Sequence, residues 1–364
     1  MTFGASPIAG WARAATPPPK LLVSEWSEKF RILPEASASR GGRWRNATCP
    51  FLVGIMDAVH EPGVTQISVQ KAAQMGVSEC LNNILAFFIE HAPSPMLLIQ
   101  PTSGAAEAYS KERLSDLIRS TPQLRRVVQD KRVLGPDGRP ESTLSLKLFP
   151  GGFLALGGAN SPTAFARWSV RVAIADDCDR FPSVVGDEGD PGRLLINRTA
   201  SFADPLVIFV STPVLARGRI CSLYDQSDQR HYIVTCPACG RQDWITWSDP
   251  LHFHVAWDAR TPATARIACV CGHRIDEPAR RALIAAGRWS PTATPIAPGV
   301  VGFHLPAMYS TFITTEQLVA KFLSSHQEGP MRLKEFICTQ LAEGWEDPRE
   351  RLDPGTLMAR AEDF

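Results

Sequence analysis

The chain has 364 residues, 44% of them hydrophobic, and its 38 Lys and Arg residues nearly balance 37 Asp and Glu residues to a net charge of +1. This length predicts two or three domains with a large buried core. The near-neutral charge excludes a global basic field, so any DNA contact must come from local basic patches. No apolar run reaches the roughly eighteen residues of a membrane span, so we expect a soluble, intracellular protein.

Residues 1–45 are predicted to form an N-terminal arm. Its first twenty residues include Pro17, Pro18 and Pro19, a composition typical of an extended segment, and lack the continuous apolar stretch of a secretion signal. Trp44 and Arg45 end the arm, just ahead of the first predicted core strand.

A phosphate-binding loop with a displaced lysine is predicted between a strand, Val64 to Gln70, and a helix, Val77 to Glu90. Two positions match the motif G-x-x-x-x-G-K-[ST]: Gly76 is the last glycine and Ser78 the hydroxyl residue. Two positions differ, because Lys71 replaces the first glycine and Val77 replaces the lysine. A lysine that enters from the upstream end can supply the same charge to an anion held at a helix N-terminus. The alternative is a strand, a turn and a buried helix.

The next elements extend an α/β pattern. A strand from Met96 to Gln100 and a helix from Ser103 to Ser120 are predicted, then a hairpin of Thr143 to Phe149 and Phe153 to Gly157. The clearest cluster of basic residues is Lys111, Arg113, Arg125, Arg126, Lys131 and Arg132. We interpret most of them as a solvated helical face, and DNA contact is the alternative.

An acidic site follows the apolar residues Val172 to Ala175, a pattern typical of a parallel strand buried on both faces. Ligands of open α/β sheets bind at the C-terminal ends of such strands. We expect Asp176 to hold Mg²⁺ together with the Ser78 hydroxyl, and Asp177 to orient or deprotonate an attacking water. The alternative is a solvated acidic loop that caps Arg180.

A further apolar strand begins at Leu206 and ends in two hydroxyl residues, Ser211 and Thr212, before Pro213. Both hydroxyls are predicted at the sheet edge where the phosphate would lie, where they could sense the γ-phosphate or the water. A simple turn leaving a core strand is the alternative.

Four of the nine cysteines form two closely spaced pairs, Cys236 with Cys239 and Cys269 with Cys271, each followed by glycine. Such knuckles predict a structural zinc ribbon, because four thiolates close a tetrahedral site. Only one residue separates the second pair, so replacement of one sulfur by His273, or absence of the metal, remains open. The other cysteines are expected to be small buried residues in a reducing compartment.

With these segments in order, the chain resembles the lambda-type large terminase subunits, ATPases that drive double-stranded DNA into phage proheads. Further matching segments are Ser24-Glu25-Trp26, Gly42-Arg43-Trp44-Arg45, Gln100-Pro101-Thr102, Ser110-Lys111-Glu112-Arg113, Phe149-Pro150-Gly151-Gly152, Gly158-Ala159-Asn160-Ser161-Pro162, Glu188-Gly189-Asp190-Pro191, Gly302-Phe303-His304 and Gly344-Trp345-Glu346-Asp347. The resemblance covers nearly the whole chain.

The resemblance implies a P-loop NTPase fold of the RecA-like, additional-strand class: a three-layer α/β sandwich with a zinc-ribbon insertion and a C-terminal helical linker region. The predicted divisions are an arm at 1–45, an ATPase core at 46–228, a zinc-ribbon-like subdomain at 229–290 and a linker or lid subdomain at 291–364. It implies ATP, Mg²⁺ and structural Zn²⁺ as cofactors. The implied partners are double-stranded DNA, a small terminase subunit and a portal or prohead, with the motor working as a homo-oligomeric ring in the host cytoplasm and not on a membrane.

By the same resemblance, Lys71 is the phosphate-binding lysine and, with Asp177, a catalytic residue. The cofactor-binding residues are Gln70, Lys71, Gly76, Val77, Ser78, Glu79, Asp176, Trp44, Arg45, Ser211 and Thr212. Trp44 and Arg45 match the family's adenine-side segment, although a tryptophan that anchors the arm on the core is the alternative.

Two positions depart from the family pattern. Asp177 stands where relatives have a glutamate, so a water would be held less well, and Gln74 stands where some carry an arginine. A catalytic arginine must then come from elsewhere in the chain or from a neighbouring subunit, and the candidates are Arg167, Arg171 and Arg198.

Family members usually continue into a ribonuclease-H-like nuclease that cuts DNA with carboxylates on two metals. Because the sequence stops at Phe364, we expect a motor portion without the nuclease domain. The rival functions are another P-loop DNA translocase or helicase, and a hydrolysis-deficient, zinc-stabilised adaptor that binds DNA or capsid.

Overall fold

The computed structural model describes residues 20–35, 41–128, 142–258 and 261–346. Most of the predicted arm, together with Lys131, Arg132 and Asp347, lies outside these ranges. Among the described residues, no helix is both long and apolar enough to cross a membrane.

The strands are β1 (Ile32–Leu33), β2 (Gly42–Arg43), β3 (Gln66–Lys71), β4 (Met96–Gln100), β5 (Leu146–Phe149), β6 (Gly152–Gly158), β7 (Val172–Asp176), β8 (Leu206–Ser211), β9 (His231–Thr235), β10 (Gln242–Asp243), β11 (Ile245–Thr246), β12 (Phe253–Asp258), β13 (Thr261–Ala268), β14 (Arg274–Ile275), β15 (Arg288–Ser290) and β16 (Val300–Leu305).

The α-helices are α1 (Val23–Phe30), α2 (Phe51–Asp57), α3 (Val77–Glu90), α4 (Ser103–Tyr109), α5 (Ser115–Ser120), α6 (Pro122–Val127), α7 (Pro162–Ala166), α8 (Pro191–Asn197), α9 (Arg219–Asp225), α10 (Glu277–Ala285), α11 (Thr315–Glu328) and α12 (Pro330–Phe336). One π-helical turn, Ser110–Leu114, joins α4 to α5, and another, Ile337–Leu341, follows α12.

The central sheet has seven strands in the order β16-β3-β8-β7-β4-β6-β5. All neighbouring pairs are parallel except the hairpin of β5 and β6, which is antiparallel as predicted. Every residue of β4, β7 and β8 is buried, as expected for parallel strands covered on both faces. Alternate residues therefore enter two different cores, Ile174 on one face and Ala173 on the other.

These two cores make the fold a three-layer α/β sandwich. One contains Leu52 of α2 and Leu85 of α3, and the other contains Phe165 of α7, Leu195 of α8 and Ile220 of α9. Because all the parallel strands run in one direction, the ends of β3, β7 and β8 meet at a single edge of the sheet.

Residues 300–305, which the sequence placed in a linker, form β16 at one end of this sheet. The strand pairs with β3 in register from Val300 opposite Gln66 to Leu305 opposite Lys71. Gly302 is required there by close approach, because a Cβ atom would lie 2.0 Å from the Ser227 hydroxyl.

The cysteine-bearing region docks on the β16 edge. The Arg230 N–H donates to the Gly302 carbonyl at 2.7 Å, and its guanidinium contacts Glu61 and Asp228, with an Nη2 to Oε2 distance of 2.7 Å for Glu61. Beyond it, β9 pairs with β10 and β15, while β11 to β14 form a separate four-stranded sheet.

A stack of rings lies inside this docked region. The Trp244 ring lies between the rings of His231, with centroids 4.6 Å apart, and His252, 4.1 Å away. Burial and the neighbouring His304 and His252 lower the pKa of His231 to about 4.

Acidification should therefore destabilise the protein through His231. Its folded pKa lies below the unfolded value of about 6.5, so the unfolded chain binds the extra proton and stability falls as pH drops from about 6.5 towards 4, by about 2–3 kcal/mol. His231→Phe, which keeps a ring against Trp244, should flatten this slope in urea unfolding measured across that pH range.

Replacement of the exposed His326 by Phe is the matched control and should leave the slope unchanged. An equal slope in wild type and His231→Phe would show that other groups carry the acid sensitivity.

Candidate active site

The lysine of the displaced loop lies where three strands end. Lys71 is the last residue of β3, and its ammonium nitrogen lies 3.1 Å from the Thr212 hydroxyl oxygen and 3.8 Å from Asp177 Oδ1. The Lys71 side chain is 12% exposed, so this charge is held at the wall of the site and not in bulk solvent. The structure thus brings together Lys71, Asp177 and Thr212, three of the predicted site residues.

The loop between Lys71 and α3 presents backbone N–H groups. Ala72 and Ala73 donate to the carbonyls of Leu305 and Thr339, each at 2.8 Å. The N–H groups from Gln74 to Ser78 donate no hydrogen bond to any of the described residues. Free N–H groups at a helix N-terminus are typical of an anion site.

Two residues give the loop its shape. Gln74 and Gly76 have φ angles of 60° and 78°, and Gly76 is the N-cap of α3. A Cβ at Gly76 would also lie 3.2 Å from Leu52, so glycine suits both the backbone and the packing. Val77 begins the helix and is buried, whereas Ser78 is half-buried at the second helical position.

Asp176 is buried at the end of β7, beside Asp177. The Gln100 amide donates to Asp176 Oδ2 at 3.0 Å. Burial, followed by the charge of Asp177, raises the pKa of Asp176, and the Gln100 hydrogen bond and Lys71 oppose the shift. A carboxylate in this environment is short of positive charge, so a divalent cation beside it would restore its ionised form. Asp176 is therefore an oxygen ligand of the kind that a hard divalent cation takes.

Gln100 was not among the predicted site residues. The signal that could have found it is the one that identified Asp176, a polar residue at the C-terminal end of an apolar strand.

Three predicted cofactor-binding side chains are used by the fold itself. The Ser211 hydroxyl, 1% exposed, accepts from the Asp179 N–H at 3.1 Å. The Glu79 carboxylate lies 2.8 Å from Arg31, and the Gln70 amide donates to the Ala342 carbonyl at 2.6 Å.

The two predicted adenine-side residues, Trp44 and Arg45, have different surroundings. Trp44 is 6% exposed and its indole N–H donates to Asn46 at 2.7 Å, so its ring packs in the core, which favours the alternative of an anchor for the arm. Arg45 is exposed, and its guanidinium lies 3.6 Å from Glu28.

The three candidate arginines lie in different places. Arg171 precedes β7 and contacts Asp204 at 2.7 Å, at the sheet edge opposite Asp176. The Arg198 carbonyl accepts from Val170 near the same edge, but the Arg198 guanidinium donates to the Ala166 carbonyl, next to Arg167, at 3.4 Å. Arg167 is exposed, with its guanidinium 4.5 Å from the centre of the Trp168 ring.

Arg167 also lines a cleft of about 630 Å³. The cleft includes Ser103, which follows β4, and Gly158, the last residue of β6. It therefore reaches the sheet edge at which β7 ends in Asp176.

The members of the predicted basic cluster that the structure describes are exposed. Lys111 pairs with Glu107 at 3.5 Å, and Arg113, Arg125 and Arg126 are exposed. This arrangement fits a solvated surface and does not single out a DNA-contacting residue.

The four predicted cysteine ligands converge. The sulfurs of Cys236, Cys239, Cys269 and Cys271 all lie within 4.8 Å of one another, so the cluster could hold a metal ion. Hydrogen bonds from the backbone N–H groups of Cys239 and Ala238 outweigh burial and lower the pKa of Cys236, whereas burial raises the pKa of Cys269, so without a metal the four thiols do not all favour the thiolate form.

Known proteins are similar to this chain in sequence. The profile of the phage terminase large subunit gpA ATPase domain matches residues 38–289. The chain belongs to this family. The terminase large subunit of Escherichia phage lambda is 30% identical over 379 residues, and that of Enterobacteria phage P21 is 29% identical over 364 residues, covering 98% and 94% of this chain. The chain spans 58% and 55% of the length of those two relatives.

Solved structures show a looser likeness. The large terminase ATPase domain of Thermus phage P74-26 has a TM-score of 0.45 and 14% identity, covering 79% of this chain and 92% of that one. The large terminase of bacteriophage HK97 has a TM-score of 0.42 and 16% identity, covering 56% of this chain and 39% of that one.

The terminase large subunit gpA endonuclease domain profile matches residues 300–364. The expectation of a motor portion without any nuclease domain is therefore not supported. In the structure the matched region starts with β16, inside the central sheet, and residues 347–364 lie outside the described residues.

Proposed function

We propose that this chain is the ATP-hydrolysing motor of a phage DNA-packaging terminase, which moves double-stranded DNA into a prohead. The observation that carries the proposal is the Lys71 ammonium group in contact with Thr212 and near Asp177, next to free N–H groups at the start of α3. Its proposed partners are double-stranded DNA, a small terminase subunit and a portal, with the motor acting as a homo-oligomeric ring in the host cytoplasm.

In this proposal the N–H groups of Gln74 to Ser78 and the Lys71 ammonium bind the β- and γ-phosphates. A water oxygen attacks the γ-phosphorus in line while the bond to the β-phosphate oxygen breaks, which gives ADP and phosphate. Lys71 offsets the charge that develops on the transferred group, and Asp177 orients the water and accepts its proton.

Ser78 and Asp176 would hold Mg²⁺, which neutralises phosphate charge when bound. Gln100 keeps the Asp176 carboxylate oriented towards the site. In this proposal the phosphate contacts the Thr212 hydroxyl and not that of Ser211. The Thr212 oxygen accepts from the Lys71 ammonium group, and this ammonium group would bind the phosphate.

Lys71→Ala and Asp177→Asn should each lower kcat for ATP by about 10²–10³-fold, because each removes charge or proton acceptance from the transition state. Phosphate release with and without double-stranded DNA checks this. Lys111→Ala, which removes an exposed lysine paired with Glu107, is the matched control and should keep wild-type turnover.

A wild type that is as inactive as both variants, across DNA and magnesium conditions, would favour the zinc-stabilised adaptor. Hydrolysis stimulated by DNA but no packaging with portal and prohead would favour another translocase or helicase.

Arg167 is the candidate we propose for the arginine supplied to a neighbouring subunit. It is exposed and it lines a cleft that reaches the sheet edge at which β7 ends, whereas Arg171 is paired with Asp204 at the opposite edge and the Arg198 guanidinium donates to the Ala166 carbonyl at 3.4 Å. The guanidinium would stabilise charge on the transferred phosphate of the next subunit.

If so, Arg167→Ala should lose most ATPase activity, by about 10³-fold or more. Mixing it with the inactive Lys71→Ala variant should restore part of the turnover, because an intact Lys71 site can then receive Arg167 from its neighbour. Arg171→Ala, which removes a guanidinium paired with Asp204 at the opposite sheet edge, is the control and should stay active. A mixture no more active than its components would contradict action between subunits.

We infer that the four-cysteine cluster binds one structural Zn²⁺, since four converging thiolates leave no coordination position for a substrate. Metal analysis after gel filtration should find stoichiometric zinc, lost on Cys269→Ser. Cys221→Ala, at a buried cysteine outside the cluster, should keep the metal. Wild-type protein that folds and carries no zinc would contradict this proposal.

A further inference from the structure

Asp179 connects three elements around the candidate active site. Its carboxylate accepts hydrogen bonds from the backbone N–H of Ile220 at 2.6 Å and of Val214 at 3.0 Å. Its own N–H donates to the Ser211 hydroxyl at 3.1 Å. One residue thus joins the chain after β7 to the end of β8, to the loop that follows β8 and to the first turn of α9.

A second residue reinforces the same connection. Arg219, next to Ile220 in α9, donates to the carbonyls of Cys178 at 2.6 Å and Pro182 at 3.2 Å, on either side of Asp179. Its guanidinium also lies 2.7 Å from Asp190. The turn that carries Asp179 is therefore held from both its side chain and its backbone.

This connection bears on Asp177, two residues earlier. Asp177 has φ 51° and ψ 46°, a left-handed conformation that is uncommon for non-glycine residues, although aspartate adopts it more readily than most. The chain on its C-terminal side is fixed by the Asp179 carboxylate. Without that anchor, Asp177 could relax to a more common conformation and its carboxylate would move.

The connection bears equally on Thr212. This residue lies between Ser211 and Val214, both of which contact Asp179, and its hydroxyl accepts from Lys71. Asp179 therefore fixes the backbone next to Asp177 and the backbone next to Thr212, the two residues that lie near the Lys71 ammonium group.

We propose that Asp179 is a positioning residue for ATP hydrolysis, which fixes Asp177 and Thr212 relative to each other without touching the phosphate. The inference rests on the proposed ATPase function. Its consequence is that Asp179 governs the rate of the chemical step more than nucleotide affinity, because Lys71 and the loop N–H groups that bind phosphate do not contact it.

The test compares Asp179→Asn, which keeps the shape and one acceptor oxygen, with Asp179→Ala, which removes both acceptors. We expect kcat to fall about tenfold for the first and about 10²-fold for the second, since small misplacements of reacting groups have effects of this size. KM for ATP should stay near wild type. Asp204→Asn, which breaks the pair with Arg171 at the opposite sheet edge, should leave kcat unchanged.

Thermal unfolding with and without ATP separates positioning from a structural role. The positioning role requires that both variants keep the wild-type increase in Tm on adding ATP while kcat falls. Loss of kcat in parallel with loss of ATP-induced stabilisation or of folded protein would overturn it, as would wild-type kcat in both variants. Absence of ATPase activity from wild type would instead contradict the proposed function, and the role of Asp179 would fall with it.

Discussion

The candidate site depends on the contacts of the Lys71 ammonium group, because this group links the ends of three strands. It lies near Thr212, which follows β8, and near Asp177, which follows β7. Lys71 is itself the last residue of β3, paired in register with Leu305. Its side chain therefore starts from sheet backbone and not from a flexible loop. Val77, at the usual lysine position, is buried, so a lysine there would have to displace core packing. The displaced lysine is thus a consistent solution for this loop.

The loop is supported from the C-terminal part of the chain. Ala72 and Ala73 donate to Leu305 and Thr339, and the Gln70 amide donates to Ala342. Residues that match the endonuclease domain profile from position 300 onward therefore support the loop of the candidate site. The two family profiles therefore do not correspond to two separate structural units here. The central sheet contains strands from both matched regions, since β16 pairs with β3.

Local pattern predicted the features that local physics controls. The apolar run of β7 ending in Asp176 and the hairpin of β5 and β6 were readable, because burial on both faces and turn composition leave direct marks in sequence. The pairing of β16 with β3 was not, since its partners lie far apart in the chain. Nor could the sequence tell which of the two hydroxyls at the end of β8 faces the site, because successive side chains of a strand point to opposite faces. The structure shows that the Thr212 hydroxyl contacts Lys71, whereas the Ser211 hydroxyl accepts from the Asp179 N–H.

Two of the predicted cofactor-binding residues, Glu79 and Trp44, have positions with one physical explanation. Arg31 is 1% exposed, and leaving its charge unpaired would be strongly unfavourable, so Glu79 supplies the carboxylate at 2.8 Å. Glu79 belongs to the first turn of α3, and its N–H donates to the Gly76 carbonyl. Trp44 packs in the same core, and its N–H donates to the Arg31 carbonyl at 3.0 Å. Glu79 and Trp44 therefore fix the start of α3 against the N-terminal segment, and the free N–H groups of the loop depend on that fixed start for their direction.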